Sequence, residues 1–260
     1  MRSLAAASWL IARAHFTRTL FSRRLLLCIA LTHLPALFAL VTTGFRVHTN
    51  PDVLAANLGW MMFLQIVLPL VTLIAGSAVI SEEVEDRTIT YLFTRPIPRA
   101  SLLFGRWIST FAWLVIVIAS GVFFLLLACE RARGRGGEID AQFARSMYEA
   151  ALWGAAAYSA LFSVLGAFFR HAMLVGIGYA FAVEGFLANL PGQNQALTVQ
   201  YYLRSLIADG AGPVWKKVEG FSAMRFVEVE RAQLVLIVII AGALVLGAWR
   251  LMRRQFAMTA

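Results

Sequence analysis

Six long apolar runs, at about residues 25–43, 59–80, 107–129, 150–169, 172–190 and 232–249, decide what this chain can fold into. A hydrocarbon core about 30 Å thick takes roughly 20 apolar residues to cross as an α-helix. It holds no water, so a spanning segment must satisfy its own backbone N–H and C=O groups. The runs therefore predict six transmembrane helices. Composition agrees, since 60% of residues are hydrophobic, 14% are charged and the mean hydropathy is +0.74, too apolar for a soluble domain. The expected fold class is all-α: a polytopic membrane protein in which residues 1–260 form a single transmembrane domain.

The flanks of these runs set the orientation. Residues 1–24 carry Arg2, Arg13, Arg18, Arg23 and Arg24 and no acid. On a helical wheel Trp9, Phe16 and Leu20 lie opposite His15, Arg18 and Ser22, which predicts an N-terminal interfacial helix; a floppy basic tail is the alternative. Arg23 and Arg24 precede the first span against only Arg46 soon after it, and Arg250, Arg253 and Arg254 follow the last. By the positive-inside rule both termini are cytoplasmic. The length and arginine interruptions of the N-terminus argue for a retained first span rather than a cleaved signal. The full tally of Lys and Arg leans only slightly to the cytoplasmic side, so the first and last spans carry the assignment. The net charge of +9 is read as attraction to membrane headgroups, with no nucleic-acid partner. Residues 191–231 are too polar to span, and Tyr201, Tyr202, Leu206, Ile207, Trp215 and Phe221 predict short helices on the outer interface.

Three polar residues fall inside predicted spans. Glu184 is a pathway candidate, because an ionisable group at membrane depth is costly unless it faces water or a partner; snorkelling at the span's end is the bland alternative. His33, two residues before Pro35, and Gln65 are further intramembrane polar positions. His33 either forms a site or packs on a freed carbonyl or a neighbouring helix. Ala172, Gly176 and Ala180 form a small-residue ridge suited to a subunit interface or to internal packing. Cys28 and Cys129 read as packing residues.

Between the second and third runs lies one polar interruption, 81–106, predicted as a cytoplasmic hairpin. Glu82, Glu83, Glu85 and Asp86 come first, placed at the start of a helical segment where the macrodipole favours acids. Arg95, Pro96, Pro98 and Arg99 follow, with the prolines forcing a stop, and Gly105-Arg106 ends the stretch. The order Glu83-x-Glu85-x-x-Thr88, Arg95-Pro96-x-x-Arg99, Gly105-Arg106 resembles the cytoplasmic loop between spans two and three of ABC-2 type exporter permeases. Arg87 stands where that family has Gly, and Arg106 where it has Lys. The resemblance implies a membrane-spanning permease subunit of an ATP-driven exporter in the bacterial inner membrane. It also implies a second permease subunit, identical or related, and two copies of a separate ABC ATP-binding subunit. The residues from Glu82 to Arg106 named here, with Arg87 and Thr88, would couple the two proteins, with ATP and Mg held by the ATPase.

The remaining residues carry no machinery for chemistry of their own. The sequence has no Gly-x-x-x-x-Gly-Lys-Ser/Thr loop, its only lysines are Lys216 and Lys217, and its four histidines are scattered. The expectation is a non-enzyme with no catalytic residues, metal or bound cofactor. The alternatives are a stand-alone secondary transporter or channel, which would call for broken-helix repeats, and a non-transporting membrane assembly factor.

Overall fold

The computed structural model describes residues 4–20, 22–44, 51–85, 99–131, 139–169, 171–189, 193–212 and 226–253. Among them every regular element is helical. In chain order these are α1 (Leu4–Leu20), α2 (Arg23–Gly44), α3 (51–85), α4 (Arg99–Arg131), α5 (Ala141–Phe168), α6 (Ala172–Phe186), α7 (Val199–Ala211) and α8 (Val229–Arg253). Five of them, α2, α3, α4, α5 and α8, are long and apolar enough to cross a membrane, while α6 is a shorter apolar helix. The fifth predicted run, 172–190, thus forms a helix of lesser length whose second half, Tyr179–Phe186, is π-helical.

The elements begin and end later or earlier than hydropathy alone marks them. Pro51 opens α3, at the one helical position where its missing N–H costs nothing. Asp140 caps α5, its side chain accepting from the Gln142 N–H at 3.0 Å, so the helix starts at Ala141 instead of near 150. Polar side chains within the spans bond back to their own turn: Thr32 to Cys28 O, Thr72 to Leu68 O and Ser163 to Ser159 O, each at 2.6 Å.

α5 is the hub. Its buried face is built from Ala150, Ala151, Gly154, Ala155, Ala157, Ser159 and Ala160, which lets α3, α4, α7 and α8 pack directly on its backbone. A Cβ at Gly154 would lie 2.5 Å from Leu68 Cδ2 and 2.7 Å from Leu203 Cδ1, so glycine lets these two leucines of α3 and α7 pack there without shifting. α1 and α2 both lie against α4. The inward face of α1 is the small one, Ala7, Ser8 and Ala12, while Trp9 is 67% exposed.

The ridge on α6 turns inward. Ala172 and Gly176 are buried, and Gly176 faces Leu73 of α3 and Phe162 of α5, so internal packing accounts for these two, while Ala180 is half-buried. α7 departs from the expectation of helices on the outer rim: Leu203, Leu206 and Ile207 belong to the main hydrophobic core. It is embedded among α3, α5 and α8.

Candidate functional site

Two polar assemblies hold the bundle, one at each end. The first joins the helices on either side of the predicted hairpin. α3 runs on to Glu85, so Glu82, Glu83 and Glu85 occupy its last turns, not the start of a helix. That reverses the expected macrodipole relation, because the apolar run before them propagates the helix through the acids. Asp86, Arg87, Thr88, Arg95, Pro96 and Pro98 lie outside the described residues. Arg99 is the first residue of α4.

Gly105 and Arg106, expected to end the hairpin, lie inside α4 and are covered by α1. A Cβ at Gly105 would sit 2.5 Å from Ser8 O and 2.9 Å from Ile11 Cβ, which fixes how closely α1 approaches. Arg106 is 7% exposed, and its Nη1 donates to Val79 O at 3.0 Å, tying the first turns of α4 to the last turns of α3. His15 Nδ1 is 3.1 Å from Ser109 Oγ one turn further on. A small apolar core of Val79, Ala100, Leu103, Ala167, Ala248 and Leu251 fills the same end. The end of α3 and the start of α4 are therefore one packed unit with α1, α5 and α8.

The second assembly surrounds Glu184, on the π-helical part of α6 and 1% exposed. Its Oε2 accepts from Tyr158 OH at 2.8 Å and from the Gln200 N–H at 3.0 Å. Its Oε1 accepts from Tyr179 OH at 2.8 Å and from the Val199 N–H at 3.0 Å. Val199 and Gln200 are the first residues of α7, whose orphan N–H groups and positive dipole end suit a carboxylate. Thr198 completes the cap by accepting from the Tyr201 N–H at 3.3 Å. Glu184 is thus the clamp that holds α7 into the bundle, an outcome different from snorkelling.

Gln200 makes a second tie. The segment Leu58–Val67 of α3 is π-helical, and the Leu68 N–H donates to Phe63 O, five residues back. In that register Leu64 O would receive the N–H of residue 69, which is a proline and has none. Gln200 Nε2 donates to Leu64 O instead, at 2.8 Å. Arg204, one turn on, is 1% exposed, donates to Gln195 Oε1 at 2.8 Å and lies 5.7 Å from the ring centroids of Trp60 and Tyr201. Burial lowers its pKa to about 10, which still leaves it charged near neutral pH.

His33 and Gln65 are not brought into either assembly. His33 Nδ1 sits 2.8 Å from Ile29 O, and its ring is 5.3 Å from that of Phe124 on α4, so it packs on its own helix and its neighbour. Gln65 lies half-buried on the π-helical segment beside Leu64. The residues the sequence did not single out are Tyr158, Tyr179, Gln200 and Arg204. Their signal was weak but present: a tyrosine in mid-span carries a hydroxyl that must find a partner, and Gln200 and Arg204 stand one helical turn apart. Among the described residues no three His, Cys, Asp or Glu side chains group as metal ligands do, and both cysteines are free and buried.

Long apolar helices around a small-residue hub, with buried polar groups spent on joining helices, define a polytopic α-helical membrane domain. The sequence pattern described as ABC-2 family transporter protein matches residues 21–185, more than half of the chain, and the chain belongs to that family. It is a multi-pass membrane permease, of a kind that works with an ATP-binding subunit. The matched stretch starts just before α2, includes all of residues 81–106 and ends beside Glu184. No individual curated protein matches the chain.

Proposed function

We propose that this chain is the membrane subunit of an ATP-driven ABC-2 type exporter and that its 86–98 segment, with the helix ends flanking it, couples it to a separate ATPase. On this reading α6 is a sixth span, α1 lies at the interface, and both termini are cytoplasmic in a bacterial inner membrane. ATP and Mg are bound and hydrolysed on two partner subunits, and a second permease, identical or related, completes the pathway. Glu83, Glu85, Arg95 and Arg99 anchor the hairpin in the ATPase through charge-assisted hydrogen bonds, and Pro96 and Pro98 stiffen it.

The observation that carries this reading is the junction at the hairpin's roots. Arg106 pins α4 to Val79 O of α3, and Gly105 lets α1 close over the pair. A push on the loop then reaches α1, α3, α4 and, through the shared apolar core, α5 and α8, as one displacement. Charge reversal tests the assignment. Arg99→Glu and Glu83→Arg should insert normally yet lower permease-stimulated ATP hydrolysis by about tenfold or more, the loss of one charge-assisted bond of about 1.5–3 kcal/mol. Undiminished stimulation in both variants refutes it.

A further inference from the structure

The crossing that begins with α6 does not end with it. A stretch of 7 α-helical residues continued by 8 at π pitch rises at most about 22 Å, against a hydrocarbon core of about 30 Å. The next helix does not start at the far surface either. Glu184 holds the first residues of α7 at its own level, and Gln200 reaches Leu64 O, near the middle of the span Val53–Val79. Leu203 meets α5 at Gly154, midway along that helix, and Gly210 lies against Ser146 and Gln142 in its first turns. α7 therefore starts at mid-membrane and climbs toward the Ala141 end of α5, completing the crossing. The joint between α6 and α7 contains two 3₁₀ turns, Leu187–Asn189 and Gln193–Leu197, and it lies at hydrocarbon depth.

That depth limits what can surround the joint. Short 3₁₀ turns leave most of their terminal N–H and C=O groups without a partner inside the turn. Lipid cannot solvate such groups, and irregular backbone at this depth is tolerated only inside protein or against water. The bundle covers one side of the joint, where Glu184, Ala188 and Thr198 are buried. The other side is open: Phe186 is 66% and Leu197 75% exposed, and Asn194 and Ala196 are exposed as well. Asn194 brings an amide with two donor hydrogens and an acceptor oxygen, and the Ala196 carbonyl accepts from the Tyr202 hydroxyl at 2.7 Å in an exposed hydrogen bond. Amide, carbonyl and hydroxyl are groups that water satisfies and acyl chains do not.

We propose that the open side of this joint is a wall of a water-filled pathway through the membrane, with Asn194 and Leu197 the residues that a passing cargo touches. The cargo contact rests on the permease reading given above; the water-lined wall does not. The test measures water access and involves no ATPase, so its failure is distinct from a failure of the coupling role.

Asn194→Cys, Leu197→Cys, Ile116→Cys and Gln142→Cys are made singly in the full-length protein, kept with any subunit that accompanies it and placed in lipid nanodiscs open on both faces. Ile116, 62% exposed in the middle of α4, serves as the lipid-facing position, and exposed Gln142, at the start of α5, as the surface position. Cys28 and Cys129 are buried, so the parent protein supplies the blank. A charged thiol reagent reacts with thiolate, which forms in water and not in hydrocarbon, so positions 194 and 197 should react about tenfold or more faster than position 116. A maleimide carried on a long polyethylene glycol chain, too bulky for a pathway, should react at position 142 and not at 194 or 197. Rates at 194 and 197 no higher than at 116 would overturn the proposal, because lipid or a second protein would then cover the joint. Equal reaction of the bulky maleimide at 142, 194 and 197 would overturn it too, by placing the joint at the membrane surface.

Discussion

Replacing Glu184 by Gln keeps the shape of the side chain and changes only what its second oxygen can do. In the native protein each oxygen serves one tyrosine hydroxyl and one backbone N–H of α7. The amide keeps one oxygen, and its NH2 then faces a hydroxyl and an N–H. The hydroxyl can turn and accept, but the backbone N–H cannot, and a buried donor without an acceptor costs about 1–3 kcal/mol. The bonds that remain lose their charge assistance, together about another 1–2 kcal/mol. The expected loss is about 4 kcal/mol, which for a chain of this size lowers the unfolding temperature by about 8–10 °C. Because the loss falls on the start of α7, hydrogen exchange at the Val199 and Gln200 amides should accelerate by about 100-fold or more, ahead of exchange in the α5 core. An unfolding temperature within about 2 °C of the parent, with unchanged exchange at these two amides, would refute the clamp.

Gln200→Leu removes the donor to Leu64 O and leaves that carbonyl buried without a partner, a cost of about 1–3 kcal/mol visible in thermal unfolding in detergent. An unchanged midpoint would mean that the π-helical segment satisfies this oxygen by itself. Gly105→Ala places a methyl group against Ser8 O and Ile11, so α1 must move outward. The expected loss is about 1–3 kcal/mol, with tryptic cleavage at Arg13 and Arg18 several-fold faster. Parental stability together with parental cleavage rates would show that α1 does not seat there.

What could be read from the chain by itself was whatever depends on short range and on solvent. The apolar runs of α2, α4 and α8 announce helices because a bilayer leaves them no other choice. α7 was legible as a helix but not as a buried one. Its Gln200, Arg204 and Ser205 dilute its apolarity, and they reach Leu64 O, Gln195 with the flanking rings, and the Tyr201 carbonyl and the Val227 N–H. Those partners are set by tertiary contact, which hydropathy does not report. Glu184 was picked out by its cost, yet its role depends on Tyr158 and on residues 199–200, distant in sequence. At the other end, Gly105 and Arg106 read as loop because they are polar or small; the covering α1 and the carbonyl of Val79 make them helix interior.

The proline at position 69 leaves one further mark on how this protein can move. A stretch wound at π pitch holds a surplus residue, and rewinding it to α pitch would rotate the N-terminal third of α3 against the remainder. Leu64 O accepts its donor from a side chain on α7, so a rotation there carries the acceptor away from its partner, and α7 can withdraw only by abandoning that oxygen. Winding in one helix and seating of the other are therefore a single interlocked coordinate, like a thread and its nut.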